Sequence, residues 1–291
     1  MKRTIGAAAC LLGLALAGPA AAAEYLFPTD VVPAGQADAT LDIFAAWIEI
    51  PFTFVPLAID GTEKVRVVEE SADLRAGLGA ATHVDVKLPY DSVSNMCLHV
   101  SGFGCPVNNS DRGFRNLDLA VKHSFWDEGG VSLSATADVR PNTAGRQGIE
   151  YEAGLAAGAT VQEGFRVFAG ASAVVTDHST SRNHYDGGFG VFLESQSRTW
   201  IFEPILLYQY FQSIDGVGNQ NVVIAELPLY LRLLDDTYVG PRVGYVWYGA
   251  VDTTAPNGAT AFSFGSSNSG WLAGLSVYAV FGHAAAAPRR D

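Results

Sequence analysis

The sequence is poor in cysteine, in basic residues and in long apolar runs. Three of its 291 residues are cysteine, and 18 lysines and arginines stand against 30 aspartates and glutamates, a formal net charge of −12. This shortage of positive charge argues against a nucleic-acid partner, because such proteins need a basic surface to contact phosphates. After residue 23, no stretch has the ~18 uninterrupted apolar residues that a membrane-spanning helix requires.

The one long apolar run stands at the N-terminus and predicts a secretory signal peptide. Lys2 and Arg3 form a basic start, the apolar centre follows, and Ala21-Ala22-Ala23 is a small-residue cleavage site. A true membrane helix is disfavoured because the run is short and ends at Pro19. We therefore predict that residues 1–23 are a signal peptide and that the mature chain is exported.

The mature chain keeps two cysteines, Cys97 and Cys105, since Cys10 lies within the signal. In an oxidising compartment this pair is expected to close a small disulfide. A zinc site would need further ligands, and His99 between the two cysteines has no second His or Cys nearby. No phosphate-binding loop, dinucleotide fingerprint or zinc-protease motif is present, so we expect no metal and no cofactor.

The stretch Gly113 to Gly145 predicts a long β-hairpin. Leu119 and Val121 alternate with Asp118 and Lys122, and the second arm alternates in the same way up to a turn at Gly129-Gly130. Each arm holds roughly ten alternating residues, the length of a tilted strand that crosses a bilayer. An ordinary sandwich strand is nearer to five or six residues. The hairpin is thus expected to have one face in lipid and one in a polar lumen.

The whole mature chain repeats this pattern and contains 31 glycines, 16 phenylalanines, 11 tyrosines and 5 tryptophans. The pattern predicts twelve strands; the strands outside the hairpin cover residues 40–48, 65–78, 82–89, 148–158, 165–175, 186–194, 200–211, 221–233, 237–250 and 270–281. Short and long connections alternate, and residues 90–112 are expected to be a long loop. This is typical of outer-membrane barrels, in which an even strand number places both termini on one side. We predict an all-β, antiparallel, up-and-down transmembrane barrel of about 12 strands, with periplasmic termini, in a Gram-negative outer membrane.

The last predicted strand has one apolar face that runs from Trp271 and ends at Phe281. Such a strand must pair with the first strand to remove the sheet edges. We expect it also to be the contact with the barrel-assembly machinery, and the outer face to contact outer-membrane lipid. The predicted organisation is a periplasmic lead at 24–39, the barrel at 40–281 and a periplasmic tail at 282–291.

The polar faces of the strands supply charged candidates for the lumen. These are Glu69, Asp73, Arg75, Asp85, Lys87, Asp118, Lys122, Asp138, Arg140, Glu150, Glu152, Arg166, Glu203, Glu226, Arg232 and Arg242. They can form ion pairs that fill a narrow barrel, or they can line a selective path for solutes. Glu150 and Glu152 have the spacing of a general acid and base, and His99 with Ser101 that of a lipid hydrolase, but neither pair has a visible partner. We expect no enzymatic activity.

Two segments resemble a known family. Ser71 to Tyr90, ending in Leu88-Pro89-Tyr90, and the hairpin with its Asp127-Glu128-Gly129 turn are similar to blocks of an outer-membrane family named after the meta-pathway of phenol degradation. The resemblance implies a barrel that passes small compounds, including aromatic ones, and it implies no catalytic residues. The cysteine loop and the C-terminal tail are not features of that family.

Two functions from different classes follow. The first is a channel for passive passage of small solutes across the outer membrane. The second is a structural or surface-binding barrel with a closed lumen that acts through its loops. A luminal path free of bulky residues such as Phe168, Phe192 and Tyr248 would favour the first, and a plugged lumen would favour the second.

Overall fold

The computed structural model describes residues 26–100, 104–144, 148–177, 182–214, 216–254, 258–265 and 268–282. Side chains at 63, 93–100 and 104–111 fall outside this description. No helix in the described ranges is long and apolar enough to cross a bilayer.

In these ranges the chain folds into sixteen β-strands and a short 3-10 helix at Val55–Leu57. All strands belong to one antiparallel sheet, and alternation of inward and outward side chains is the reason they form. The strands are β1 Gln36–Phe54, β2 Ile59–Gly77, β3 Thr82–Val100, β4 Gly104–Phe114, β5 Asp118–Glu128, β6 Val131–Arg140, β7 Glu150–Gln162, β8 Phe165–Thr176, β9 His184–Glu194, β10 Trp200–Phe202, β11 Ile205–Phe211, β12 Gln220–Leu234, β13 Thr237–Tyr248, β14 Val251–Thr254, β15 Thr260–Phe264 and β16 Asn268–Gly282.

The sheet closes into a barrel with twelve strand positions, because β1 pairs with both β2 and β16. β4 and β5 share one position next to β3, and β10 and β11 share one position between β9 and β12. The hairpin of β14 and β15 extends from β13 and adds to β1. The order around the barrel is therefore β1, β2, β3, β4/β5, β6, β7, β8, β9, β10/β11, β12, β13 and β16. Closure leaves no free sheet edge in the wall, and the predicted fold class is confirmed.

The two ends of the barrel differ. Residues 78–81, 129–130, 163–164, 195–199 and 235–236 make short turns at one end, which we name the short-turn end. The opposite end carries the longer connections and is named the long-loop end. Gln36 pairs with Gly282, so the first and last strands of the barrel both terminate at the short-turn end. The alternation of short and long connections in the sequence thus predicted the arrangement of the strands correctly.

The outer face is apolar. Large side chains that stay exposed alternate along the strands with polar inward neighbours; they include Leu74, Val86, Val121, Leu155, Phe189, Val243 and Leu275. All five tryptophans are also at least 40% exposed. Trp126 and Trp200 lie beside short turns, whereas Trp47, Trp247 and Trp271 lie toward the long-loop end. Two levels of outward tryptophan flanking an apolar band match the two interfaces of a bilayer.

Two predicted boundaries need correction. The expected loop at 90–112 is mostly strand, since β3 continues to Val100 and β4 returns from Gly104 to Phe114. The first strand starts at Gln36, so the last four residues of the expected lead belong to the barrel. Beyond the membrane both faces of a strand meet water, so the apolar alternation that reveals a strand is lost there. Cys97 and Cys105 lie in β3 and β4, but their side chains are outside the description and the disulfide stays a prediction.

Candidate functional site: the barrel lumen

Alternation along the strands places the sixteen predicted charged residues on the face opposite the exposed apolar side chains, toward the lumen. The structure separates them into three groups. One group contacts an N-terminal segment at the short-turn end, a second surrounds Arg140 nearer the long-loop end, and a third is spread over β10 to β13. Each group is described in turn.

The N-terminal segment, residues 26–35, packs inside the barrel at its short-turn end. Phe27 and Val32 are 1% and 0% exposed. The Phe27 ring meets the rings of Phe168 and Phe192 edge-on, with centroids 5.5 and 5.6 Å apart. Further inward side chains complete this apolar cluster: Ile201, Tyr238, Tyr278 and Val280. The segment therefore fills the short-turn end of the lumen, where sequence reasoning had expected a lead lying outside the barrel.

Arg166 is the main polar anchor of the N-terminal segment. Its guanidinium donates to both carboxylate oxygens of Asp30, at 3.0 and 2.6 Å, and lies 3.4 Å from the centroid of the Phe27 ring. A bidentate, ring-stacked arginine combines two strong interactions in one side chain. The predicted luminal Arg166 is thus occupied by the chain's own N-terminal segment.

Two further hydrogen bonds tie the N-terminal segment to other strands. The hydroxyls of Thr29 and Ser132 on β6 share a hydrogen bond of 2.5 Å. The Val32 backbone N–H donates to Nδ1 of His83 on β3, at 3.0 Å. Together with Arg166 on β8, these contacts hold the segment from strands that span five of the twelve positions around the barrel. The segment is a specifically bound part of the fold rather than a loose leader.

The other members of the first group form the layer next to the N-terminal segment. Arg75 donates to Asp38 at 2.7 Å, and the Tyr278 hydroxyl donates to the same carboxylate at 3.1 Å. Lys122 lies in register with His83 on β3. Asp73 and Asp85, on β2 and β3, each keep one buried carboxylate oxygen with no hydrogen-bond partner among the described residues. This layer carries mixed charge with an excess of carboxylates.

The Arg140 cluster consists of Arg140 and four carboxylates from β5, β6 and β7. The guanidinium lies 3.0 Å from Asp118, 3.1 Å from Asp138 and 3.4 Å from Glu150, and it also donates to Glu152. These side chains are 8% to 24% exposed. The structure therefore brings together five residues that the sequence had predicted only as separate luminal charges.

A cavity of about 450 Å³ opens beside the Arg140 cluster. Lys87 lies 3.8 Å from Glu69 in its wall, and Arg115 pairs with Asp91 there. Arg115 and Asp91 were missed by sequence reasoning, because Asp91 lies in the stretch interpreted as a loop and Arg115 stands at the start of the predicted hairpin, ahead of the alternating residues that indicated the lumen. The two basic groups in this wall besides Arg140 thus each have a carboxylate partner.

The remaining predicted residues lie on β10, β12 and β13. Glu203 is 5% exposed and stands at the break between β10 and β11. The Arg242 guanidinium lies 4.6 Å from the centroid of the Phe44 ring. Arg232 reaches Asp235 at the short-turn end, at 3.4 Å, and Glu226 lies opposite Gly244. These residues do not join the Arg140 cluster.

The wall opposite the Arg140 cluster is apolar. Ala46, Val222, Val246 and Leu272 form a buried cluster on β1, β12, β13 and β16. In the barrel order, β6 and β13 are six positions apart among twelve, so these two walls face each other across the lumen. The long-loop half of the lumen therefore has one acidic side and one apolar side.

Other chemistry predicted or weighed from sequence finds little support in the geometry. Among the described residues, no group of three or more His, Cys, Asp or Glu side chains is arranged to hold a metal ion. Glu150 and Glu152 both bind Arg140, as expected for ion-pair partners. Ser101 and the side chain of His99 lie outside the described part of the chain.

A closed twelve-strand barrel with an apolar outer band, two tryptophan levels and a charged interior defines the chain as an outer-membrane β-barrel protein. The same features place it in an outer membrane. This is the class of protein that fold and lumen establish together.

Comparison with known proteins agrees with this fold. No protein-family model matches the chain, and no curated protein sequence is significantly similar to it. Among solved structures, an outer-membrane channel from Pseudomonas putida F1 is similar, with a TM-score of 0.59 and 12% identity over 87% of this chain and 98% of that one. A FadL homologue of Pseudomonas aeruginosa has a TM-score of 0.49 and 10% identity over 89% of this chain and 96% of its own. At such identities the likeness is one of fold.

Proposed function

We propose that the protein is an outer-membrane channel for passive passage of small solutes, including aromatic ones. The observation that carries the proposal is a charged lumen with cavities on its path. One cavity, of about 450 Å³, adjoins the Arg140 cluster, and another, of about 680 Å³, lies at the short-turn end against Thr29 and Asp30. Charged walls and a defined width are what sort solutes in a pore. The aromatic preference rests on the sequence resemblance to the phenol meta-pathway family.

Passage requires the N-terminal segment to move, because it fills the short-turn end of the lumen. Besides the apolar packing of Phe27 and Val32, its side-chain anchors are polar and few: Arg166 to Asp30, Ser132 to Thr29, and His83 to the Val32 backbone. Polar contacts of this kind can exchange for water when the segment shifts, whereas the barrel wall stays closed by its strand pairing.

We place the short-turn end in the periplasm and assign Phe281 on β16 to recognition by the barrel-assembly machinery.

A specific observation favours the second candidate, a closed barrel that acts through its loops. Three bulky residues were expected to separate the two functions, and two of them, Phe168 and Phe192, pack on Phe27 and help to fill the lumen. If the N-terminal segment never moves, the barrel cannot conduct. The two functions therefore differ in the mobility of this one segment.

A reversible disulfide across the Thr29–Ser132 hydrogen bond tests the proposal. The two hydroxyl oxygens are 2.5 Å apart, so the double substitution Thr29→Cys/Ser132→Cys brings two thiols close together and is expected to form a disulfide. Single-channel recording of the refolded chain in planar bilayers should show discrete currents for the native protein. The oxidised double variant should be silent, and a reductant should restore its currents.

The native chain and the single variant Thr29→Cys, each with and without reductant, control for effects on Cys97 and Cys105. Equal currents from the oxidised and reduced double variant would show that solutes do not pass the N-terminal segment. An inserted, heat-modifiable native barrel without any current would favour the closed-barrel function instead.

A further inference from the structure

Three basic side chains face outward from the described strands of the barrel, and they lie together on β2 and β4. Lys64 and Arg66 are exposed on the outer face of β2, and Arg112 is exposed on the outer face of β4. Lys64 is neutralised by Glu49, whose carboxylate lies 2.7 Å from its Nζ. Neither arginine has a carboxylate partner among the described residues. In a chain with a net charge of −12, the two arginines therefore form an outward site that attracts anions.

Arg66 lies at the level of the tryptophans near the long-loop end. Trp271 of β16 pairs with Trp47 of β1, and Trp47 pairs in turn with Arg66 of β2. The Arg66 guanidinium lies 5.7 Å from the centroid of the Trp47 ring. Outward tryptophans mark the boundary between the acyl chains and the head groups of a bilayer. The strand register thus places Arg66 where the lipid head groups begin.

The register also brings Arg66 and Arg112 close enough to contact one anion together. Only β3 separates their strands: Arg66 pairs with Ser94, and Arg112 pairs with Ser92. Strand spacing and rise put the two Cα atoms about 12 Å apart, a separation that two long arginine side chains can bridge through a common ligand. The planar guanidinium matches the oxygens of a phosphate and binds them with two hydrogen bonds. The pair therefore favours a phosphate group as its ligand.

Glu70 is a further outward polar group on β2, and it lies deeper in the membrane than Arg66. Four residues separate the two, which is about 13 Å along the strand toward the short-turn end. Glu70 is in register with Ile43, which is 52% exposed, and with Tyr90. No described residue donates a hydrogen bond to its carboxylate. A carboxylate facing lipid is costly unless a donor reaches it, so its position calls for a lipid that carries a donor near its acyl chains.

We propose that Arg66, Arg112 and Glu70, named the outer patch, bind a phosphorylated glycolipid of the outer leaflet. The two arginines donate to a phosphate of its head group. An amide or hydroxyl group at the start of its acyl chains donates to Glu70, a donor that the ester-linked chains of a glycerophospholipid lack. The inference goes beyond the channel and rests only on the proposed orientation, with the long-loop end toward the outer leaflet.

Native mass spectrometry of the mature chain, refolded in detergent without lipid, tests the inference. The probes are diphosphorylated lipid A, its dephosphorylated form and phosphatidylglycerol, all in EDTA so that no divalent ion links phosphates to carboxylates. We expect lipid A to bind first, and each of the other two to bind about tenfold more weakly, since charge-assisted hydrogen bonds are lost. Arg66→Gln and Arg112→Gln should each weaken lipid A binding several-fold. Arg198→Gln, which changes an exposed arginine in a short turn, is the matched control and should leave binding unchanged.

The variant Glu70→Leu distinguishes a glycolipid from anionic lipids in general. It should weaken lipid A binding, because the acceptor is lost, and strengthen phosphatidylglycerol binding, because a carboxylate no longer repels the head group. Tighter lipid A binding in this variant would overturn the assignment of a glycolipid.

Equal binding of lipid A and its dephosphorylated form, or an unchanged affinity in both arginine variants, would overturn the inference as a whole. Heat-modifiable migration confirms that each variant has folded. Because the measurement is made in detergent, its outcome depends neither on the orientation of the barrel nor on its conductance. Lipid A binding by a barrel without any current would count against the channel alone.

Discussion

A single missing methyl group decides whether Phe27 fits inside the barrel. A Cβ on Gly158 of β7 would overlap the Phe27 ring, and it would also lie close to the Ser132 hydroxyl that holds Thr29. Glycine is thus needed here for close approach rather than for an unusual backbone angle. The position of the N-terminal segment inside the barrel therefore depends on the glycine at position 158.

We therefore expect Gly158→Ala to displace the N-terminal segment while the barrel stays intact. Overpacking at a close contact costs about 1–3 kcal/mol, which corresponds to roughly a tenfold or larger shift toward the displaced state. The measurement is the rate at which a Thr29→Cys variant reacts with a water-soluble maleimide, with and without the Gly158→Ala change. Faster labelling and larger single-channel currents should appear together.

Gly187→Ala on β9 serves as the matched control, because its Cβ would meet nothing closer than 3.9 Å. Labelling at position 29 should not change in that variant. If Gly158→Ala leaves the labelling rate unaltered, the packing of Phe27 does not determine where the segment lies.

At the scale of the strands, the wall is uneven because of its prolines. Pro204, Pro228 and Pro241 stand in the neighbouring positions β10/β11, β12 and β13. Proline donates no backbone hydrogen bond, and the β12–β13 register passes from Pro228↔Arg242 directly to Leu231↔Val239. The β7–β8 pair, by contrast, is continuous from Glu150↔Thr176 to Thr160↔Arg166. The backbone hydrogen-bond ladder of the wall is therefore more complete at β7 and β8 than at β12 and β13.

This difference predicts a difference in amide hydrogen exchange. Amides of Leu231 and Val239, which pair directly beyond the gap in the β12–β13 ladder, should exchange much faster than amides in the middle of β7 and β8. Hydrogen-exchange mass spectrometry on the detergent-solubilised barrel measures both regions in one experiment. Uniform protection around the whole barrel would contradict this account of the prolines.

The strands also show where sequence reasoning succeeds and where it stops. Period-two alternation revealed β5 and β6, because one face of each meets lipid and the other a polar lumen. It failed for the outer half of β3 and for β4, whose residues from Ser92 to Asp111 are largely polar or small and offer only a short apolar alternation at Met96, Leu98 and Val100. Strand pairing there is held by the backbone ladder, which leaves little trace in the side chains.

The location of the N-terminal segment inside the barrel could not be predicted from the sequence, for a related reason. Ten residues without periodicity give no indication of whether they lie inside or outside a barrel. The signal that does exist is indirect: Phe192, Tyr238 and Tyr278 are apolar or aromatic residues at inward positions near the short-turn end. Inward apolar side chains at one end of a charged lumen require an apolar partner, and Phe27 provides it. The Arg140 cluster likewise needed strand register, since its members come from three strands.

At the scale of the whole molecule, charge is distributed asymmetrically inside the barrel. The net charge of −12 is reflected in the lumen, where the carboxylates of the Arg140 cluster and of the Asp73–Asp85 layer outnumber the nearby basic groups. A narrow acidic passage raises the local concentration of cations and lowers that of anions. Salt weakens the effect because it screens the field.

Current through the barrel should accordingly be carried mainly by cations. In a KCl gradient across a planar bilayer, the reversal potential should have the sign of K⁺ preference and should shrink as the total salt concentration rises. The double change Glu150→Gln/Glu152→Gln should reduce it, in the native chain and equally in the Gly158→Ala background, because two charges leave the Arg140 cluster. The matched pair Glu163→Gln/Asp235→Asn removes the same charge from two exposed short turns and should change it far less. An anion preference, or equal effects of the two pairs, would show that ions do not pass the Arg140 cluster, because a charge on the path acts much more strongly than one in bulk water.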